Sequence, residues 1–173
     1  SLLERAIKTT YHLLSESNQL FIPVVKTWRL NERHYGGLQG LNKDDARKKW
    51  GEDQVHQWRR SYDVRPPRES EEQREAYLKN RRYQHIDHRM MPYCESLKDT
   101  LERVVPFWTD HISQHLLDDK TVLVSAHGNS IRALIKYLEG LSEEDIVGYE
   151  IKTGAPLVYE LTDDLVVKDK YYL

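Results

Sequence analysis

The stretch Thr121–Ala133, TVLVSAHGNSIRA, decides the predicted fold. Its β-rich apolar run, Val122–Val124, stops at His127 and Gly128, and a segment with apolar residues at helical spacing follows. This pattern predicts a strand that ends in a histidine and opens directly into a helix. Open α/β sheets bind ligands at the carboxyl ends of their strands, and the free N–H groups of a helix start attract anions. The stretch therefore predicts an anion site, with an ordinary buried strand and a capped helix as the alternative interpretation.

Length and composition restrict the class of protein. The 173 residues suffice for a single domain, with residues 1–173 as its bounds. The formal net charge of −2 lacks the basic excess of a nucleic-acid-binding surface, and no apolar run approaches the roughly 20 residues of a membrane span. Cys94 is the one cysteine, so an internal disulfide is impossible. We therefore expect a cytoplasmic protein with neither nucleic acid nor a membrane as its partner.

Strand and helix patterns alternate along the chain, which predicts an α/β fold with a mostly parallel sheet and an antiparallel edge strand. A helix capped by Ser1 is expected to run to about Ser15. Residues of about 59–93, which are rich in proline and charge, are predicted to form an excursion from the domain. The other predicted elements are a strand at Phe21–Thr27, a helix at Asn42–Trp58 that Gly51 weakens, a helix at Glu95–Leu117 that Pro106 interrupts, and a hairpin of Pro156–Leu161 with Val166–Tyr172.

The segment Asn31–Gly36, NERHYG, follows the first predicted strand and combines an acid, basic side chains and a phenol. A carboxylate such as Glu32 beside an anionic ligand can act as a general acid and base. Arg59 and Arg60 offer adjacent guanidiniums, which suit the bidentate binding of phosphate or carboxylate. A solvated loop and a helix end with surface cations are the alternative interpretations. Arg5, in the first helix, either reaches the same ligand or faces water.

Two pairs of histidines have spacings that zinc sites use. They are His85 with His88, and His111 with His115 on a predicted helix. Neither pair has an evident third ligand, so we expect no metal. The chain also has no GxxxxGK[ST] or GxGxxG motif, and a nucleotide cofactor is not indicated.

Six blocks of the sequence, taken in order, resemble the cofactor-dependent (2,3-bisphosphoglycerate-dependent) phosphoglycerate mutases of the histidine phosphatase superfamily. The resemblance implies a three-layer sandwich around a mostly parallel sheet, and it extends over the whole chain. The blocks are RAIKT (Arg5–Thr9), LNERHYGGLQGLNK (Leu30–Lys43), WRRSYD (Trp58–Asp63), ESLKDTLERVVPFW (Glu95–Trp108), SAHGNSIRALIKYLEGL (Ser125–Leu141) and TGAPLVYEL (Thr153–Leu161).

The resemblance also implies an activity and roles for particular residues. The activity is the interconversion of 3-phosphoglycerate and 2-phosphoglycerate in glycolysis and gluconeogenesis, through a phosphohistidine and with 2,3-bisphosphoglycerate as cofactor. The implied catalytic residues are Glu32, His127 and Arg5. Small phosphoglycerates and further copies of the chain, in a dimer or tetramer, are the implied partners. The implied substrate-binding residues are Tyr35, Lys43, Arg59 and Arg60 for the carboxylate and the phosphate that stays, and Gly128 and Asn129 for the transferred phosphate.

The sequence departs from this family at one point. Members begin with a strand that ends in an Arg-His-Gly motif, whose histidine is phosphorylated, and no Arg-His-Gly occurs here. Arg33-His34-Tyr35 is part of the NERHYG segment and is not that motif. We expect the first strands either to be a separate chain or to lie outside this sequence, and the isolated chain to be inactive. A phosphate-ester hydrolase of the same superfamily and a non-catalytic fragment remain alternatives.

Overall fold

The computed structural model describes all 173 residues, which form eight α-helices and one two-stranded sheet. The helices are α1 (Glu4–Glu16), α2 (Lys43–Trp50), α3 (Glu52–Arg60), α4 (Glu71–Leu78), α5 (Leu97–Phe107), α6 (Ser113–Leu117), α7 (Gly128–Glu139) and α8 (Glu143–Gly148). The strands are β1 (Leu157–Leu161) and β2 (Val167–Tyr172).

The main hydrophobic core lies between α5 and α7. Each of these helices carries one apolar face, and Val104 of α5 and Ile135 of α7 are almost completely buried there. Ser96 begins α5 with a capping box, in which its hydroxyl and Asp99 satisfy each other's backbone N–H groups. Pro106 cannot donate a backbone hydrogen bond, and the helix passes into a π-helical turn at Trp108–Ile112 directly after it. Pro106 itself lies inside α5, and the α-helical pattern predicted for Glu95–Leu117 is interrupted two residues later, at Trp108.

A smaller core holds α2 and α3 together. Leu38, Ala46 and Val55 are buried there. Gly51 separates the two helices with a φ of 83°, a left-handed value that favours glycine. The single helix predicted for Asn42–Trp58 is therefore two helices, divided at the glycine that the sequence marked as its weak point.

The carboxyl end forms the predicted hairpin. β1 and β2 pair antiparallel, with Leu157 opposite Tyr172 and an irregularity in the register at Glu160 and Leu161. One face of this hairpin packs on the main core through Leu157 and Tyr159.

The predicted mostly parallel sheet, and with it the three-layer sandwich, is not formed by these residues. The segments 23–27 and 121–126 make no backbone–backbone hydrogen bond, so neither is a strand. An apolar run becomes a strand only when a neighbouring strand accepts and donates its backbone hydrogen bonds. Val122 and Val124 still pack against the main core, but no strand of this chain pairs with them through backbone hydrogen bonds.

Arg74 organises the connection between α4 and α5. Its guanidinium is buried and donates to the carbonyl oxygens of His88, Met91 and Pro92 and to the carboxylate of Glu69. Buried guanidinium groups are stabilised when carbonyl and carboxylate acceptors surround them. This residue therefore fixes a segment that has little regular structure.

The main core predicts a specific stability effect. Replacing Ile135 by alanine removes buried methyl groups and leaves a cavity between α5 and α7, which should lower the free energy of unfolding by about 2–5 kcal/mol. Leu117→Ala, at a half-exposed position, should change it by less than about 0.5 kcal/mol. Urea unfolding followed by circular dichroism would measure both. Equal effects of the two substitutions would contradict the assignment of this core.

Candidate active site

Arg5, Glu32 and His127 come from distant parts of the sequence and meet at one point. The Arg5 Nε donates a hydrogen bond of 2.9 Å to Nδ1 of His127. The Arg5 Nη2 lies 3.9 Å from the Glu32 Oε2. The Arg5 side chain is 68% exposed, so this meeting point opens to solvent on one side. A carboxylate, a guanidinium and an imidazole in contact can move protons and bind an anion.

His127 is held at the start of α7. It precedes the helix in extended conformation, and its backbone N–H donates to the Ser130 hydroxyl at 3.1 Å. Because Nδ1 accepts from Arg5, we assign the proton of the neutral ring to Nε2. Nε2 lies 2.9 Å from the hydroxyl of Ser1, which in turn donates to the side-chain oxygen of Asn31 at 3.0 Å. Ser1 therefore bonds to the site and does not cap α1, which begins at Glu4.

Burial controls the charge of His127. Loss of contact with water, followed by the nearby positive charge of Arg5, lowers the pKa of His127 to about 4, while Glu32 opposes this shift. The ring is thus neutral near pH 7. An anion placed beside it would favour the protonated form again, because opposite charges stabilise each other.

The two carboxylate oxygens of Glu32 have different surroundings. Oε1 accepts from the backbone N–H of Arg33 at 2.8 Å, from the backbone N–H of Asn129 at 3.2 Å and from the Asn129 side-chain amide at 3.0 Å. Oε2 faces Arg5 and accepts no hydrogen bond. Fixed amide donors thus orient the carboxylate through one oxygen and leave the other free to exchange a proton.

A group of basic side chains lies beside this point. The Tyr35 hydroxyl accepts from the Asn129 side chain at 3.0 Å, and the guanidinium groups of Arg33 and Arg59 lie over the Tyr35 ring at 4.6 and 5.1 Å. A small cavity between α3 and α7 is lined by Arg59, Arg60, Ser61, Leu97, Asn129, Arg132, Ile146 and Val147. The excess of cations around this cavity favours a multiply charged anion.

Not every predicted binding residue reaches this group. Lys43 is exposed at the first residue of α2 and forms no hydrogen bond or ion pair with the predicted site residues. Gly128 is exposed at the start of α7, and the space where a Cβ atom would lie is open. An anion can therefore approach the backbone of α7 closely at Gly128.

Two arginines of this group were not selected as site residues from the sequence. Arg132 lies next to Asn129 on α7, with Nη1 3.5 Å from the Asn129 side-chain oxygen. Burial, followed by the nearby Arg60, lowers the pKa of Arg132. The spacing of three residues between Asn129 and Arg132 places both on one helix face, so this signal was present in the sequence.

Arg33 is the other residue, and it is 1% exposed. Its Nη2 donates to the carbonyl oxygens of Trp58 and Arg59 at 3.1 and 3.2 Å, at the end of α3. Its Nε and Nη1 are buried without a hydrogen-bond partner, as is the Nε of Arg59. No sequence pattern distinguishes such an arginine from a surface one.

No group of three or more His, Cys, Asp or Glu side chains in the structure could hold a metal ion. None of the helices combines the length and the apolar character that crossing a bilayer requires.

Comparison with known proteins identifies the family. The profile of the histidine phosphatase superfamily (branch 1) matches residues 1–82 and 67–171. Over all 173 residues, the chain is 92% identical to a protein of Staphylococcus epidermidis, 80% identical to one of Staphylococcus saprophyticus and 79% identical to one of Staphylococcus aureus. The alignments cover 100% of this chain and 76% of each relative, and each relative is named 2,3-bisphosphoglycerate-dependent phosphoglycerate mutase. The chain belongs to the 2,3-bisphosphoglycerate-dependent phosphoglycerate mutases of the histidine phosphatase superfamily.

Proposed function

We propose that these residues form most of the phosphoryl-transfer site of an enzyme that interconverts 3-phosphoglycerate and 2-phosphoglycerate through a phosphohistidine. One observation carries this proposal. The free oxygen of Glu32 faces Arg5, whose guanidinium also donates to His127. A proton donor and acceptor, a cation and an imidazole thus surround one position, where the phosphoryl group would lie during its transfer.

The basic side chains fit 2,3-bisphosphoglycerate. This cofactor carries two phosphates and a carboxylate, and it supplies the phosphoryl group that primes the nucleophilic histidine. Arg33 and Arg59 have buried N–H groups with no partner in the protein, and such donors are costly unless an acceptor meets them. Arg59, Arg60 and Tyr35 would hold the carboxylate and the phosphate that is not transferred, and Lys43 would have to swing towards them.

The chain's own residues perform three tasks at the transferred phosphate. Glu32 gives a proton to the leaving hydroxyl oxygen, or takes one from the attacking hydroxyl, through Oε2. Arg5 and His127 offset the negative charge of the phosphoryl oxygens. Gly128 and Asn129 present the start of α7, whose free N–H groups favour an anion.

We also propose that residues 121–126 become a strand of a mostly parallel sheet when further strands are present. Those strands would come from the amino-terminal portion that the family resemblance implies, as a separate chain or as part of one longer chain.

The apolar side chains of Phe21, Val24 and Val25 are exposed, and Phe21 is 83% exposed. They support assembly into a dimer or tetramer, because an apolar patch of this kind tends to be covered by another protein surface.

The experiments below use one reference protein. It joins these 173 residues to the portion of the Staphylococcus epidermidis relative that they do not cover, and we call it the full-length enzyme.

The sheet proposal predicts a difference in backbone protection. The amide hydrogens of Val122 and Val124 should exchange quickly in the isolated chain, because no backbone acceptor holds them. In the full-length enzyme they should exchange many-fold more slowly. Hydrogen–deuterium exchange followed by mass spectrometry would measure this, with the α7 segment around Ile135 as an internal control that stays protected in both. Equal exchange of residues 121–126 in the two proteins would contradict the proposal.

The proposed role of Glu32 predicts the effect of Glu32→Gln. Glutamine keeps the shape of the side chain but cannot exchange a proton, so turnover in the full-length enzyme should fall by about 10²–10⁴-fold. The midpoint of thermal unfolding should change little. Glu16→Gln, at an exposed position on α1, should leave turnover unchanged. Normal turnover of Glu32→Gln in a coupled assay of 2-phosphoglycerate formation would refute the assignment.

The binding role proposed for Arg59 and Arg60 predicts that their loss changes KM and the ratio of mutase to phosphatase activity. Removing either guanidinium in Arg59→Ala or Arg60→Ala should raise KM by roughly tenfold to a hundredfold, because charged hydrogen bonds contribute about 1.5–3 kcal/mol each. The ratio of mutase to phosphatase activity should fall, since a loosely held substrate lets water compete.

Arg47→Ala, on the exposed face of α2, provides the control for both quantities. If the Arg59 and Arg60 variants kept the KM and the ratio of this control, both arginines would be surface residues without a role in binding.

A further inference from the structure

Arg103 of α5 and Glu95 form a buried ion pair next to the candidate active site. They are 6% and 2% exposed. The Arg103 Nε donates to Glu95 Oε1 at 2.6 Å, and its Nη2 donates to Glu95 Oε2 at 2.9 Å. Neither side chain forms a hydrogen bond with His127 or Arg5, although the positive charge of Arg103 contributes to the lowered pKa of His127.

The remaining donors of Arg103 point at the backbone that carries Glu32. Nη1 donates to the Arg29 carbonyl oxygen at 2.6 Å. Nη2 donates to the carbonyl oxygens of Asn31 at 3.0 Å and of Glu32 at 3.3 Å. The guanidinium therefore holds the chain on the amino-terminal side of Glu32 and at Glu32 itself.

Glu95 holds the chain on the other side. Its Oε2 accepts from the backbone N–H of His34 at 2.7 Å, and its own backbone N–H donates to the His34 carbonyl oxygen at 2.7 Å. A 3-10 helix ends at Leu30, and the segment from Asn31 to His34 that follows it has no helix or strand to fix its backbone. The ion pair thus replaces regular secondary structure around the one residue that must exchange a proton.

We propose that the Arg103–Glu95 ion pair positions the proton-transferring carboxylate of Glu32, an inference that rests on the function proposed above. Arg103 and Glu95 are positioning residues and not catalytic ones, because they act through the backbone of the Glu32 segment. A displacement of about 1 Å at a reacting group costs on the order of 10²-fold in rate. Loss of the pair should therefore slow the step that needs the proton of Glu32 more than other steps.

The leaving group separates these steps. When a phosphoglycerate phosphorylates the nucleophilic histidine, a P–N bond forms, the P–O bond breaks, and the carboxyl proton of Glu32 goes to the leaving alkoxide oxygen. When the donor is 4-nitrophenyl phosphate, the same P–N bond forms, but the nitrophenolate ion is a weak base and leaves without a proton. A misplaced Glu32 should therefore slow the first reaction and spare the second.

The test compares Arg103→Met with Glu32→Gln in the full-length enzyme, each with phosphoglycerate and with 4-nitrophenyl phosphate. Both variants should lose at least about tenfold in kcat with phosphoglycerate. They should lose much less in the rate of the first, single-turnover release of nitrophenolate from the aryl phosphate, which precedes the attack of water on the phosphohistidine. The double variant should be about as slow with phosphoglycerate as Glu32→Gln alone, because the role proposed for the ion pair is to position Glu32. Arg65→Met is the control, since this arginine also binds a carboxylate of α5, that of Asp99, but makes no hydrogen bond to the Glu32 segment. Any loss it causes should be equal for the two donors.

Two further variants keep the test decisive if Arg103→Met does not fold. Arg103→Lys keeps the charge opposite Glu95 but cannot bind all the loop carbonyls, and Glu95→Gln keeps an acceptor for His34 but removes the charge. Each variant should slow the reaction with phosphoglycerate more than the reaction with 4-nitrophenyl phosphate. Equal losses with both donors, or losses that multiply in the double variant, would overturn the positioning role. If Glu32→Gln itself kept normal turnover with phosphoglycerate, the assignment of Glu32 would fail, and the positioning role with it.

Discussion

The packing of α5 against α7 is the constraint on which the site depends. Val104 and Ile135 are buried in this contact, which fixes the start of α7 relative to the middle of α5. His127 and Asn129 lie at the start of α7, and Arg103 projects from α5 to the segment that carries Glu32. A single apolar interface therefore sets the distance between the imidazole and the carboxylate. Helices are suited to this task because a packed helix pair cannot shift gradually without opening voids.

The electrostatics of the molecule fall into two kinds. Away from the site, the buried charges are paired: Arg103 with Glu95, and Arg74 with Glu69. At the site, Arg33, Arg59 and Arg132 lie together and form no ion pair with a carboxylate, and the charge of Glu32 offsets theirs only in part. Like charges held close together raise the free energy of a protein unless an anion joins them. An anionic ligand would thus stabilise a region that the protein alone leaves positively charged.

The sequence predicted the local elements well, because their signals are local. Gly51 and Pro106 have backbone preferences that act within a few positions, and so do the residues of the turn between Leu161 and Val167. Such residues mark where a helix or strand ends. Such local signals cannot establish a parallel sheet, because its strands pair with residues that are distant in the sequence. An apolar run such as Val122–Val124 has the side chains of a strand, but it becomes one only through partners elsewhere.

The site shows the same division between local signals and distant contacts. The resemblance to a family predicted that Arg5, Glu32 and His127 share one site, and in the structure their side chains are in contact. Lys43 remains apart on α2. Arg33 and Arg103 carry much of the local organisation, yet an arginine that binds backbone carbonyls has no periodicity or motif to reveal it. Only the folded chain brings their acceptors within reach.

The unequal surroundings of the two Glu32 oxygens have a stereochemical consequence. Because amide donors saturate Oε1, a proton can enter and leave the carboxyl group only through Oε2, and hence along one direction. An acid of this kind cannot turn to serve a second oxygen a few ångströms away. A reaction that exchanges a phosphoryl group between neighbouring carbons of one substrate must then bring each carbon's oxygen to the same spot in turn. Under the role proposed for Glu32, this rotation would be made by the bound molecule and not by the carboxyl group.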